Sequence, residues 1–142
     1  MMKMLIAVDG SEHARRAIEA AGRLASQMQA VEVVLLNVAD AMVFYGELPP
    51  FDFEAVERAQ RVHQEKLLTE AEAQARGCGM NKVLTQSAVG LAAQEILRVA
   101  DERGVDQIVM GTHGRGLVGS LLLGSVAQRV VHQAKVPVLL VR

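Results

Sequence analysis

Tryptophan is absent from this chain, cysteine occurs once, proline three times, and no apolar run approaches the length of a membrane span. Each shortage removes a class of protein. Cys78 stands alone, so no internal disulfide is available, and a cytosolic setting is expected. It reads as an inert thiol in a Gly-Cys-Gly turn. A spanning helix needs about 20 consecutive apolar residues, so no membrane partner is expected. The opening Met1 to Asp9 is too short for a signal peptide and lacks a cleavage-type stretch. His13, His63, His113 and His132 show no HExxH-type spacing, and one cysteine cannot build a zinc cluster, so no metal site is expected.

A further shortage concerns one sign of charge. Residues 107–142 carry Arg115, Arg129, Lys135 and Arg142 and no acid, whereas residues 1–106 hold all 16 of the acids and 11 of the 15 bases. The formal net charge of −1 conceals this contrast. The segment is too apolar for a nucleic-acid arm, and no nucleic-acid partner is expected. An acid-free, glycine-rich segment suits a small anion. A strand and helix that need few acids would have the same composition.

What is present is ample apolar material. With 142 residues and 51% hydrophobic content, the chain can bury a real core as one domain, residues 1–142. No linker, low-complexity tract or internal repeat is visible. Lys3 to Val8 is a short apolar run ending at Asp9-Gly10-Ser11, where Ser11 can cap a helix. Ala14, Ala17, Ile18, Ala21, Leu24, Ala25 and Met28 then recur at helical spacing. Val31 to Val38 reads as a buried strand. A second helix is expected from about Phe53 to Arg76, with Val56, Val62, Leu67, Ala71 and Ala75 inward. Met80 to Gln86 is expected as a strand, Leu91 to Arg103 as a helix closed by Gly104, and Gln107 to Met110 as a strand. A helix from about Ser125 to Ala134, with Val126, Val130, Val131 and Ala134 inward, and a strand Val136 to Val141 complete the chain.

Strands separated by helices are most simply parallel, joined by right-handed crossovers. The expected fold is therefore α/β: a doubly wound five-stranded parallel sheet with helices on both faces. Ligands of such sheets bind beyond the carboxyl ends of the strands, where the winding reverses. The loop-like strand exits are Asp9-Gly10-Ser11 and the stretch from Gly111 onward. Gly111 and Gly114 can form a turn that wraps phosphate with bare amides. Gly124-Ser125 opens a helix whose first amides are unpaired. Ser125 adds a hydroxyl and Arg115 a positive charge. Asp9 is placed to accept hydrogen bonds from a ribose or to approach a phosphate-bound Mg²⁺, and equally to serve as a plain helix-entry residue. His113 lies in the same loop, where a binding role fits better than a catalytic one.

Two phosphate motifs are excluded. No GxxxxGK[ST] occurs. Gly114 to Gly119 does match GxGxxG, but it follows the fourth strand and no acid comes after it, so the match is accidental.

At these residues the chain resembles the universal stress protein family. The resemblance runs from Leu5-Ile6-Ala7-Val8-Asp9-Gly10-Ser11 to Pro137-Val138-Leu139-Leu140-Val141. Gly111, two residues, Gly114, nine residues, then Gly124-Ser125 fit the family's G-2x-G-9x-G-(S/T) pattern without a gap. Leu91 departs from the proline that many relatives carry there. The resemblance implies strand order 3-2-1-4-5 and a site for ATP or AMP. By matched position Asp9 lies near the ribose, and Val38 and the backbone of Ala7 border the adenine. Met110, Gly111, His113, Gly114, Arg115, Gly124, Ser125 and Val126 line the phosphate side.

The expected function is a stress-associated regulatory module that binds ATP or AMP. The alternatives are a slow ATPase or phosphotransfer enzyme, and an interaction protein of the same fold without nucleotide. No Ser/His/acid order and no paired acids mark a dedicated base, so no catalytic residue is assigned. The final strand, Val136 to Val141, is an expected sheet edge, and its pairing with a second copy predicts a homodimer. The four aromatics Phe44, Tyr45, Phe51 and Phe53 fall close together. They read as a plug of a long loop onto the core, or as a lid or partner surface.

Overall fold

The computed structural model describes residues 1–41, 52–114 and 122–142. Within them the chain runs β1 (Met2–Ala7), α1 (Glu12–Ala25), β2 (Val31–Ala39), α2 (Phe53–Gly77), β3 (Val83–Val89), α3 (Ala92–Arg103), β4 (Gln107–Gly111), α4 (Ser125–Gln133) and β5 (Val138–Val141). The strands form one sheet in the order β3-β2-β1-β4-β5, and every pairing is parallel. The order matches the expectation. Phe44, Tyr45, Phe51 and Arg115 lie outside the described residues, as does most of the GxGxxG stretch.

Central strands are continuous apolar runs because both faces are covered. Met4, Leu5 and Ile6 of β1, and Val33 to Leu36 of β2, are almost wholly excluded from water. One core layer packs Met4, Ile6, Val33 and Leu35 against Ala17, Ile18 and Ala21 of α1 and Leu68, Ala71 and Ala75 of α2. The other packs Leu5, Leu36, Ile108 and Met110 against Ile96 and Val99 of α3 and Ala127 and Val130 of α4. Each fully buried branched side chain contributes about 1.5–3 kcal/mol. Edge strand β3 has less cover, and Leu84 and Val89 stay exposed.

Several local expectations are corrected. Strand β3 is Val83–Val89, not Met80 to Gln86, and the edge strand β5 begins at Val138, not Val136. Met80 is buried from the turn beneath it, which imitates a strand start in sequence. In α2 no residue before Gln64 is buried; Val62 is 64% exposed and Val56 39%. Val62 sits two residues from Gln64, about 200° round the helix from the buried stripe. Val56 precedes the part of α2 that meets the sheet. Met28 falls beyond the end of α1 and is exposed, and in α4 Ala127 and Val130 face inward while Val131 does not. Cys78 caps α2 and rests against Gly22 of α1.

Candidate functional site

The exits of β1 and β4 open on one crevice, as the strand order requires. It is lined by Ala7, Asp9, Val38, Met110, Gly111, His113, Gly114, Gly124, Ser125 and Val126, all of the expected site residues that are described, and encloses about 190 Å³. Val8, Ser11, Ala14, Leu36, Ala92, Ile96 and Ala127 complete its wall. A second hollow of about 350 Å³ lies between α1 and α2, back to back with the first across Val8 and Ala14, and contains none of the expected residues.

At the β1 exit, the Val8 N–H makes the last ladder bond, to the Leu36 carbonyl at 2.8 Å. The Asn37 side-chain amide takes over, donating to the Val8 carbonyl at 2.7 Å. Gly10 turns the chain with φ of +82°, a conformation that side chains disfavour. The Asp9 carboxylate folds back and accepts the Ser11 N–H at 2.9 Å. Ser11 caps α1 by accepting the Ala14 N–H at 3.1 Å, as its position suggested.

At the β4 exit, the Thr112 N–H donates to the Val141 carbonyl and the Gly124 N–H to the Thr112 carbonyl, both at 2.8 Å. These bonds bring the start of α4 beside the end of β4, although eleven residues separate Thr112 from Gly124 in sequence. The His113 ring is engaged on both sides. Its Nδ1 meets the Thr112 hydroxyl at 2.9 Å, and its Nε2 meets the Leu122 carbonyl. The Leu122 carbonyl can only accept, so Nε2 donates to it. His113 thus lines the crevice while tying the two ends of the loop together.

The start of α4 has no side-chain cap and no acid in its first turn. The N–H groups of its first residues, Ser125 to Ala127, are those that a helix leaves without an intrahelical partner. The helix dipole adds roughly half a positive charge there. Asp9 is the one acid among the described lining residues. The crevice is therefore apolar along Ala7, Val38, Met110, Ala92 and Ile96, and rich in donors at its α4 end.

The glycines acquire a different explanation from the one their spacing suggested. None of Gly111, Gly114 and Gly124 has positive φ. A Cβ on Gly111 would lie 2.6 Å from the His13 Cβ and 3.1 Å from the His13 backbone, so Gly111 admits the first turn of α1. A Cβ on Gly114 would lie 2.8 Å from Asp9 Oδ2. Gly114 makes room for the carboxylate.

Sequence reasoning missed two features of this region. His13 is half-buried, its ring centroid 5.3 Å from that of His113, and is not a solvated helix residue. His63 and His132 are exposed. Behind the crevice, buried Gln64 of α2 donates to Asn37 Oδ1 at 3.0 Å and to the Ala88 carbonyl at 3.1 Å. Nothing in the sequence marks Asn37 and Gln64 as partners, because they are 27 residues apart on different elements.

Among the described residues no helix is long and apolar enough to cross a membrane, and no group of three His, Cys, Asp or Glu side chains gathers to hold a metal. Comparison with known proteins finds relatives along the whole chain. A universal stress protein of Thermus aquaticus is 38% identical over 139 residues, covering 98% of this chain and 97% of the relative. The structure of the universal stress protein UspA from Lactobacillus plantarum superposes with a TM-score of 0.85 at 23% identity, covering 99% of this chain and 97% of that one. Two further structures share the fold. One is a universal stress protein in complex with cAMP (TM-score 0.75, 23% identity, 99% and 97% covered). The other is that of Archaeoglobus fulgidus in complex with dAMP (TM-score 0.69, 24% identity, 100% and 98% covered). The sequence model of the universal stress protein family matches residues 1–142, and the chain belongs to that family.

Proposed function

We propose that the chain is a stress-associated regulatory module that binds an adenine nucleotide, ATP or AMP, in the crevice between the β1 and β4 exits. The observation that carries this reading is the uncapped, acid-free start of α4, which faces an apolar slot with Asp9 across the β1 exit. Bare amides at a helix start favour phosphate. The apolar wall of Ala7, Val38, Met110 and Ile96 suits a purine, and Asp9 can accept from the ribose hydroxyls. Where ATP is the ligand, Asp9 is the carboxylate that a phosphate-bound Mg²⁺ would meet. The cAMP and dAMP complexes of two proteins sharing this fold support the ligand class. Arg115 is assigned to the phosphate side by its place in the family pattern.

Both His113 nitrogens are held by protein groups, which favours binding over acid–base chemistry. Isothermal titration with ATP, AMP and GTP tests the reading. Saturable binding of ATP or AMP, tighter than GTP, is expected. No heat at millimolar ligand would leave an interaction protein without nucleotide. A turnover assay on the same sample, with His113→Ala as control, is expected to show no His113-dependent hydrolysis.

The module acts as a homodimer through β5. All four of its residues remain half-exposed in the single chain, and the strand carries neither charge nor proline to discourage pairing. Antiparallel pairing of two copies closes a two-fold dimer. Light scattering at micromolar concentration should give twice the chain mass; a single-chain mass would refute the dimer.

A further inference from the structure

Among the described residues three polar side chains are buried: Asn37, Gln64 and Thr112. All sit at the carboxyl end of the sheet or against it. Thr112 belongs to the loop closure already described. Asn37 and Gln64 do not line the crevice, and their neighbours on the same face, Val33 and Leu35, are apolar. A buried amide is costly unless its bonds are made. Packing alone therefore gives no reason for two amides here.

We propose that Asn37 and Gln64 are positioning residues that aim the Asp9 carboxylate into the crevice. The inference rests on the nucleotide reading of that site. Past its last ladder bond, β1 leaves the sheet, and the Val8 carbonyl loses its strand partner. Asn37 supplies one at 2.7 Å. That carbonyl shares a rigid peptide plane with the Asp9 N–H, so holding it sets the direction in which Asp9 departs. An asparagine amide can face either way unless a neighbour decides. Gln64 Nε2 donates to Asn37 Oδ1 at 3.0 Å, which turns the Asn37 NH₂ toward Val8. The same Gln64 nitrogen reaches the carbonyls of Asn37 and Ala88, tying the ends of β2 and β3 to α2. Asp9 is then completed locally, with Oδ1 on the Ser11 N–H and Oδ2 beside Gly114. A shift of α2 at Gln64 therefore reaches Asp9 through one side chain.

The test is a double-mutant cycle read by isothermal titration with AMP and with ATP plus Mg²⁺. Gln64→Met removes the amide at similar volume. It is expected to weaken nucleotide binding about tenfold in the wild-type background and less than about twofold in an Asp9→Ala background. Equal losses in both backgrounds, or an unchanged affinity in folded Gln64→Met, would overturn the inference. Gln64→Asn, too short to span to both Asn37 and Ala88, replaces it where Gln64→Met does not fold, with the same expectations. Amide hydrogen exchange supplies a second readout. The Ser11 N–H, held by Asp9, should exchange faster in Gln64→Met while α3 amides stay unchanged; an unchanged Ser11 rate counts against the proposal. A wild-type chain that takes no nucleotide refutes the ligand reading, and the Ser11 amide still decides this one.

Discussion

At the amino end of the sheet, Lys3 and Asp106 close the structure in plain view of solvent. The Lys3 N–H donates to Asp106 Oδ2 at 2.8 Å, the Asp106 N–H returns to the Lys3 carbonyl at 2.7 Å, and Lys3 Nζ reaches the Arg103 carbonyl at 3.0 Å. At the carboxyl end, polarity is kept in the dry interior, in Asn37, Gln64 and Thr112, and the first amides of α4 have no side-chain cap. The contrast bears on the proposed nucleotide site. Exposed closures can exchange their partners for water at little cost. Buried amides cannot, so they hold the walls of the crevice in one arrangement, while the uncapped helix start leaves donors for a ligand.

This contrast makes predictions that can break it. The largest effect is expected from Asp9→Ala, which removes a charged acceptor from the crevice. Nucleotide affinity measured by titration should fall about 10- to 100-fold, the equivalent of about 1.5–3 kcal/mol. Next, Gly111→Ala forces a methyl against His13 and should destabilise the fold by about 1–3 kcal/mol in urea denaturation. Its companion Gly114→Ala meets the end of a side chain that can swing aside. Its stability should change by less than about 0.5 kcal/mol, with affinity reduced because Asp9 is displaced. If both glycine variants lose stability equally, their division into a packing site and a carboxylate site is wrong.

At the amino end, Asp106→Ala should lower stability by about 1 kcal/mol and leave nucleotide affinity untouched. A matching loss of affinity would erase the difference between the two ends. The smallest effect is expected from Lys135→Ala. Its ion pair with Asp101 spans 3.4 Å with side chains 79% and 65% exposed, and such pairs are worth less than about 0.5 kcal/mol by denaturation midpoint.

The strands and α1 were legible because burial on both faces writes continuous apolar runs, and burial on one face writes a helical period. The boundaries of β3 and the inner face of α2 were not. Met80 is apolar for its turn and not for a strand, Val56 precedes the part of α2 that meets the sheet, and Val62 lies on the face of α2 turned away from it. The candidate site was legible as a spacing, Gly111 to Ser125, but the reasons for Gly111 and Gly114 were not. Both answer to α1 and the β1 exit, about a hundred residues earlier in the chain.

The order of elements, the two strand exits that could hold a ligand, and the acid-free last quarter follow from the chain as written, since local periodicity and charge are properties of neighbours. Which glycine admits a helix and which admits a carboxylate, that His113 ties a loop, and that a glutamine on α2 orients Asn37 beneath Asp9 were decided by tertiary packing. Those are contacts between residues remote in sequence, and a hydrogen bond or a methyl-sized clearance leaves no periodic trace in the segments that supply its two sides.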